Sequence, residues 1–191
     1  MEKEIFVVVG LGNPGLKYAH TRHNMGFDTL QLLADRWHVG LTRDRCNGLV
    51  GETDFEGRRV ALCQPQTFMN LSGECVSPLI HWYKCPQDHL MVICDDIDLK
   101  PGQVRFRRSG RAGTHNGLRN IVEQLGGTEF PRCRIGVGAP AENWDLVDWV
   151  LGKPLTREEQ ALIRDAQTRA ADGIEKWILE GIDKAMSKYN G

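Results

Sequence analysis

No apolar run in this 191-residue chain is long enough to span a bilayer. The start, Met1-Glu-Lys-Glu, also lacks the basic opening and apolar core of a secretory signal. A cytoplasmic protein is the expectation. There is no internal repeat, low-complexity tract or linker, so residues 1–191 are expected to form a single domain. The six cysteines include no C-x-x-C pair, the spacing that marks zinc ribbons and dithiol redox sites. Cys63, Cys75, Cys94 and Cys133 lie among apolar neighbours and read as reduced thiols packed as small hydrophobes. G-x-S-x-G is absent too, and Ser72 in Asn-Leu-Ser-Gly is no nucleophile elbow.

A net charge of only −1 argues at first against a polyanionic partner. The average conceals segregation. Between Lys100 and Val122 there are six basic residues (Lys100, Arg105, Arg107, Arg108, Arg111, Arg119) and no acid, so this window carries +6 and the rest −7. Such a stripe is either an electrostatic footprint for phosphates or a solvated loop.

Ile5 to Val9 is a continuous β-branched run, expected as a buried strand. Leu30, Leu33, Ala34 and Trp37 then follow helical spacing up to Gly40. Leu49 to Thr53 and Arg59 to Gln64, joined by Phe55-Glu-Gly-Arg58, read as a hairpin. Val76, Leu79, Ile80 and Tyr83 form a second helical stripe, in which Pro78 is tolerable only near the first turn. Leu90 to Cys94, Gln103 to Arg108 and Cys133 to Gly138 are further strands. Leu118, Ile121, Val122 and Leu125 mark a short helix closed by Gly126-Gly127. A last helix opens on a Thr156/Glu159 capping pattern and presents Ile163, Ala166, Ala170, Ile174, Trp177, Ile178 and Ile182 on one face. The fold class is therefore α/β, a mixed central sheet sandwiched by helices, with a long C-terminal helix.

The opening strand runs into Gly10-Leu-Gly-Asn-Pro-Gly15, a literal G-x-G-x-x-G. A dinucleotide turn would enter its helix at once and place an acid about 20 residues on. Here roughly ten polar residues intervene, and Asp35 falls inside the helical pattern. The glycines read better as tight turns beside a site. That loop ends in Thr21-Arg-His-Asn24, and His23 has the one side-chain type whose unperturbed pKa lies near neutrality. A carboxylate at the end of another strand, such as Asp95, could hold its tautomer, and a water activated by His23 would be the nucleophile. Asn13, Asn70 and Asn116 lie on three separate loops and could donate amide N–H groups to a carbonyl or an oxyanion, or simply satisfy their own loops. Cys94 beside Asp95 could also pair with a histidine, but its apolar strand points to burial.

In order along the chain stand Gly10-Leu-Gly-Asn-Pro-Gly15, Tyr18, Thr21-Arg-His-Asn24, Gln64-Pro-Gln-Thr-Phe-Met-Asn-Leu-Ser-Gly73, Asp95-Asp-Ile-Asp98 and Gly113-Thr-His-Asn-Gly117. Together they resemble bacterial-type peptidyl-tRNA hydrolase from about Ile5 to the final helix. That family cleaves the ester joining a peptide to the terminal ribose of tRNA. The resemblance implies a monomer that needs no cofactor and no metal, and it implies no membrane partner. It makes His23 the general base, with Asp95 supporting it and Asn13 discriminating peptidyl from aminoacyl substrates. It places Tyr18, Phe68, Met69, Asn70 and Asn116 along the peptide and terminal adenosine, and Arg107 and Arg134 on tRNA phosphates. Two features depart from the family. The loop Ser109 to His115 carries Arg111 and Thr114 where relatives often have smaller residues. The acidic segment Ala139 to Val150, with Trp144 and Trp149, reads as a lid or a connection near the cleft. Two other readings stand beside the esterase: a non-catalytic RNA-binding protein using the 100–122 stripe, and a metal-dependent hydrolase using His20, His23 and the aspartates.

Overall fold

The computed structural model describes residues 3–191. At its centre lies β1 (Ile5–Gly10), whose unbroken apolar run has a direct cause. Val8 packs into one helical layer and Val7 and Val9 into the other, so neither face of the strand meets water. β1 is flanked in parallel by β4 (Arg58–Pro65) and β5 (Leu90–Asp96). Beyond β4 come β3 (Gly48–Phe55) and β2 (Arg43–Arg45), both antiparallel. Beyond β5 come parallel β7 (Arg132–Gly136) and antiparallel β6 (Val104–Arg107). The sheet order is β2-β3-β4-β1-β5-β7-β6, the mixed sheet expected.

The short strand β2 gave no alternating apolar signal. It exists because Cys46 and Asn47, at φ 50° and 59°, make the two-residue left-handed turn that folds Arg43–Arg45 back on β3. Its charged residues suit a sheet edge, where they oppose pairing with another chain.

Helices cover both faces. α1 (Met25–Arg36), α5 (Arg157–Glu180) and α6 (Ile182–Tyr189) bury Leu30, Leu33, Ile163, Ile174, Trp177 and Ala185 in one layer. α2 (Gly73–Trp82) and α3 (Asn116–Leu125) bury Val76, Leu79, Leu118 and Ile121 in the other. Pro78 sits deeper in α2 than its first turn. It is tolerated because it lies on the exposed face, where water can serve the Glu74 carbonyl that its missing N–H leaves unpaired. The terminal helix is two helices, so Ile182 does not continue the α5 face. Gly181, at φ 92° and ψ 169°, breaks the run, and Ile182 starts α6, which turns back on β6. Thr156 caps α5 through Oγ1, which accepts the Glu159 N–H at 3.0 Å. The Glu159 carboxylate reaches the N–H of Leu155 rather than that of Thr156.

Because β4, β1, β5 and β7 are parallel, their C-terminal ends share one edge of the sheet, where ligands enter open α/β folds. The loops leaving Gly10, Pro65, Asp96 and Gly136 converge there. No helix among the described residues is long and apolar enough to cross a membrane.

Candidate active site

The loop after β1 is shaped by close packing more than by turning. A Cβ on Gly10 would lie 2.2 Å from the Gly26 carbonyl oxygen, so the start of α1 can press directly on the end of the strand. Of the three glycines in Gly10-Leu-Gly-Asn-Pro-Gly15, only Gly15 has a positive φ. The expected series of tight turns is therefore mainly a contact between two backbones. A 3-10 turn, Arg22–Asn24, precedes α1 and carries His23.

His23 Nδ1 lies 2.9 and 3.1 Å from the two carboxylate oxygens of Asp95, so the contact is direct. A carboxylate only accepts, so Nδ1 carries the proton and Nε2 keeps its lone pair. Asp95 has a second imidazole. His115 Nε2 is 2.9 Å from the same Oδ1, while His115 Nδ1 accepts the Leu118 N–H at 3.2 Å as the N-cap of α3. The cap fixes His115 as the Nε2–H tautomer, a donor to Asp95. Burial alone would raise the Asp95 carboxyl, but the two imidazoles hold it well below the usual carboxylate range. Burial draws His23 down, and the charge and hydrogen bond of Asp95 outweigh it, leaving His23 above its ordinary value.

The asparagines are locked by a reciprocal pair. Asn13 N–H donates to Asn24 Oδ1 and Asn24 Nδ2 donates to the Asn13 carbonyl, each at 2.9 Å. Asn13 Oδ1 accepts the Met69 N–H at 2.7 Å, so its remaining donor is the Nδ2 amide. Phe68, beside Met69, is held at φ 62° and ψ 158°, a region nearly reserved for glycine, and is 54% exposed. Its ring meets Tyr18 edge-on, with centroids 6.4 Å apart.

Asn13, Tyr18, His23, Phe68, Met69, Asn70, Asp95, Asn116 and Arg134 line one cavity of about 350 Å³. Arg107 is the exception. β6 runs antiparallel to β7, which pairs Arg107 with Arg132 at the end of the sheet away from the cavity. Arg134 stays at the rim, 3.5 Å from Asp96, and donates to the Arg111 carbonyl at 2.8 Å. Within the stripe, Lys100, Arg105, Arg108, Arg111 and Arg119 are exposed, and Arg108 also pairs with Asp183 of α6. The segment after β7 forms α4 (Leu146–Val150), whose Leu146, Val147 and Val150 roof the same cavity.

Sequence reasoning passed over His115, Asn24 and Arg22 as site residues. Each stands inside a motif that carried the resemblance, and that position was the available signal. His20 turns away from His23 and meets Asp28 at 3.1 Å, which dissolves the proposed His20–His23 metal pair. Donor atoms of His23, Asp95 and His115 lie within 4.8 Å of one another, close enough to consider a cation. The donor set fits poorly, because the Leu118 cap commits His115 Nε2 to carrying a proton. Cys94 is fully buried and pushed up to about 12 by burial, which rules it out as a thiolate nucleophile at neutral pH.

What the cavity can do is take a proton at His23 Nε2 and offer neutral amide donors from several loops. Known proteins are similar to this one along nearly the whole chain. Peptidyl-tRNA hydrolase from Alkaliphilus metalliredigens is 48% identical over 98% of this chain and all of its own length. The Lachnospira eligens protein of that name is 43% identical with the same coverage. The crystal structure of peptidyl-tRNA hydrolase from Acinetobacter baumannii superposes with a TM-score of 0.91 at 37% identity, covering 97% of this chain and 96% of that one. The family model for peptidyl-tRNA hydrolase matches residues 7–191, and the chain belongs to that family.

Proposed function

We propose that this protein hydrolyses the ester between the peptide and the terminal ribose of peptidyl-tRNA. The observation that carries the reading is His23 held by Asp95 in the tautomer that aims its free nitrogen into an amide-lined cavity. His23 Nε2 takes a proton from a water, whose oxygen attacks the ester carbonyl. The negative charge that develops on the carbonyl oxygen is met by amide N–H donors, with Asn13 Nδ2, Asn70 and Asn116 as the candidates. The tetrahedral species collapses, the ribose oxygen leaves, and the His23 imidazolium returns the proton to it. A ribose alkoxide is a better leaving group than an amine, so one base and neutral donors suffice.

Tyr18, Phe68 and Met69 give apolar walls for a peptide or a base of the acceptor end. Arg134 at the rim, with exposed Arg111 and Arg119, suits phosphates, which position a substrate without reading its sequence. Such contacts fit an enzyme that accepts many tRNAs.

The test is cleavage of diacetyl-Lys-tRNA by wild type and His23→Ala, each with and without a chelator. The expected loss in the variant is about 100- to 10,000-fold in turnover, with an unchanged circular dichroism spectrum. Wild-type activity is expected to survive chelation. Near-normal turnover without His23 would overturn its role as the base.

A further inference from the structure

Next to the proposed base in sequence lies a cation with no place in the mechanism above. Arg22 is among the largest fully buried side chains, at 1% exposure. Its guanidinium carbon stacks 3.6 Å above the Trp149 ring centre, and Nη1 donates to the Trp149 carbonyl at 3.2 Å. Nη2 donates to Glu159 Oε1 at 3.1 Å, in the first turn of α5. The Arg22 backbone N–H donates to the Gly152 carbonyl at 2.9 Å. Four contacts thus tie the turn bearing His23 to roof helix α4, to Gly152 just after it and to the first turn of α5.

We infer that Arg22 is a positioning residue that locks the His23 turn to roof helix α4, so that the imidazole and the roof hold their places together. Two observations favour this over a plain structural anchor. Burying an ion pair is a poor route to stability compared with apolar packing, and the Nε–H of Arg22 finds no acceptor among the described residues. In addition, only a planar guanidinium can stack on an indole while its fork reaches a carbonyl and a carboxylate. The roof end of the link is itself fixed, since Trp149 Nε1 donates to the Gly138 carbonyl at 2.9 Å. A substrate pressing on Leu146, Val147 or Val150 therefore acts on the turn that holds His23, through the Arg22 side chain and the one backbone bond beside it. The inference rests on His23 being the working base.

The test uses the full chain with the pair neutralised, Arg22→Met with Glu159→Gln. Three readouts are taken: kcat and KM on diacetyl-Lys-tRNA, ¹⁵N spectra of the His23 ring, and hydrogen exchange of the α4 amides. The groups facing that ring, Asp95 on β5 and His115 at the cap of α3, are untouched. Expected are a kcat lower by about ten- to hundredfold with KM little changed, a His23 ring no longer fixed in one tautomer, and faster exchange in α4. Arg22→Lys is expected not to restore kcat. A folded double variant with wild-type kcat and His23 spectrum overturns the inference, as does full activity in Arg22→Lys. If the double variant does not fold, Trp149→Leu, which keeps the Arg22–Glu159 pair, must still disturb the His23 spectrum, and an unchanged spectrum overturns the inference. Because the ring spectra need no substrate, failure of wild type to cleave peptidyl-tRNA would sink the reaction and leave this coupling separately tested.

Discussion

Asp95 serves two imidazoles at once, and the pH behaviour of the site follows from that. His23 must be neutral to accept a proton, and its value lies above that of an ordinary histidine. In Asp95→Asn the burial that depresses His23 remains while the charge that raises it is gone. The acidic limb of kcat/KM should therefore move to lower pH, while the plateau falls by about 100-fold or more because the tautomer is no longer held. Stability has its own sign. Asp95 is shifted down, so its contribution is present above the unfolded carboxyl value near ~3.9 and is lost as pH falls through the folded value. His23 is shifted up, so its contribution is complete below ~6.5 and is lost as pH rises through the folded value. The stability gap between wild type and Asp95→Asn should be widest between about pH 4 and 6.5, as urea midpoints at pH 3, 5.5 and 8 will report. A gap that keeps widening toward pH 8 contradicts this pairing. Phe68 is the other informative residue. Its backbone strain of about 1–3 kcal/mol exceeds the extra chain entropy of glycine, so Phe68→Gly should raise unfolding free energy by about 1 kcal/mol while weakening substrate binding. Thermal melts and KM measure the two effects.

Among the elements, the break between α5 and α6 sets how the end of the chain closes the sheet. Periodicity alone carried the helix through Ile182, because Gly181 is a single residue inside a pattern of correct spacing. Its φ of 92° and ψ of 169° are open only to glycine. Gly181→Ala should lower stability by about 1–3 kcal/mol in urea unfolding, with helix content by circular dichroism nearly unchanged. A neutral result would mean that α6 can leave β6 without consequence. The 3-10 turn Arg22–Asn24 is the corresponding element at the site. It places Arg22 inward to Trp149, His23 toward Asp95 and Asn24 onto Asn13, three directions that three successive residues of a tight turn can supply.

Across the whole molecule, charge is arranged more locally than the sequence stripe suggested. Arg108 pairs with Asp183 of α6 and Arg107 sits at the far end of β6, so exposed Arg111 and Arg119, beside the cavity wall at 112–116, and Arg134, paired with Asp96 at the rim, are the basic residues around the cavity. Affinity for peptidyl-tRNA should still depend on salt. KM is expected to rise with ionic strength on a log–log plot with a slope of about 2–3, as for a few phosphate contacts, while kcat stays level. A flat KM between 50 and 300 mM salt (roughly the range over which such contacts weaken) would remove phosphate contacts from the account.

The sequence by itself determined every strand but β2, the hairpin, the amphipathic helices apart from the α5–α6 break, and the motif residues, because each depends on neighbours a few positions away. Period and propensity are local, and β1, β5 and α3 appear where their patterns place them. Asn13, His23, Asp95 and Asn116 were legible as types suited to acid–base and amide chemistry. Only the tertiary structure decided their use. Gly10 is glycine because of Gly26, Asp95 is a shared carboxylate because the cap of α3 arrives beside it, and Arg22 is buried because a segment 127 residues later supplies Trp149. Hydrogen bonds and charge pairs act over a few ångströms of space whatever the separation along the chain, so no local pattern records them. The loop from Gly10 to Asn24 carries the proposed base His23, and its tautomer, its basicity and its roof come from β5, α3 and α4.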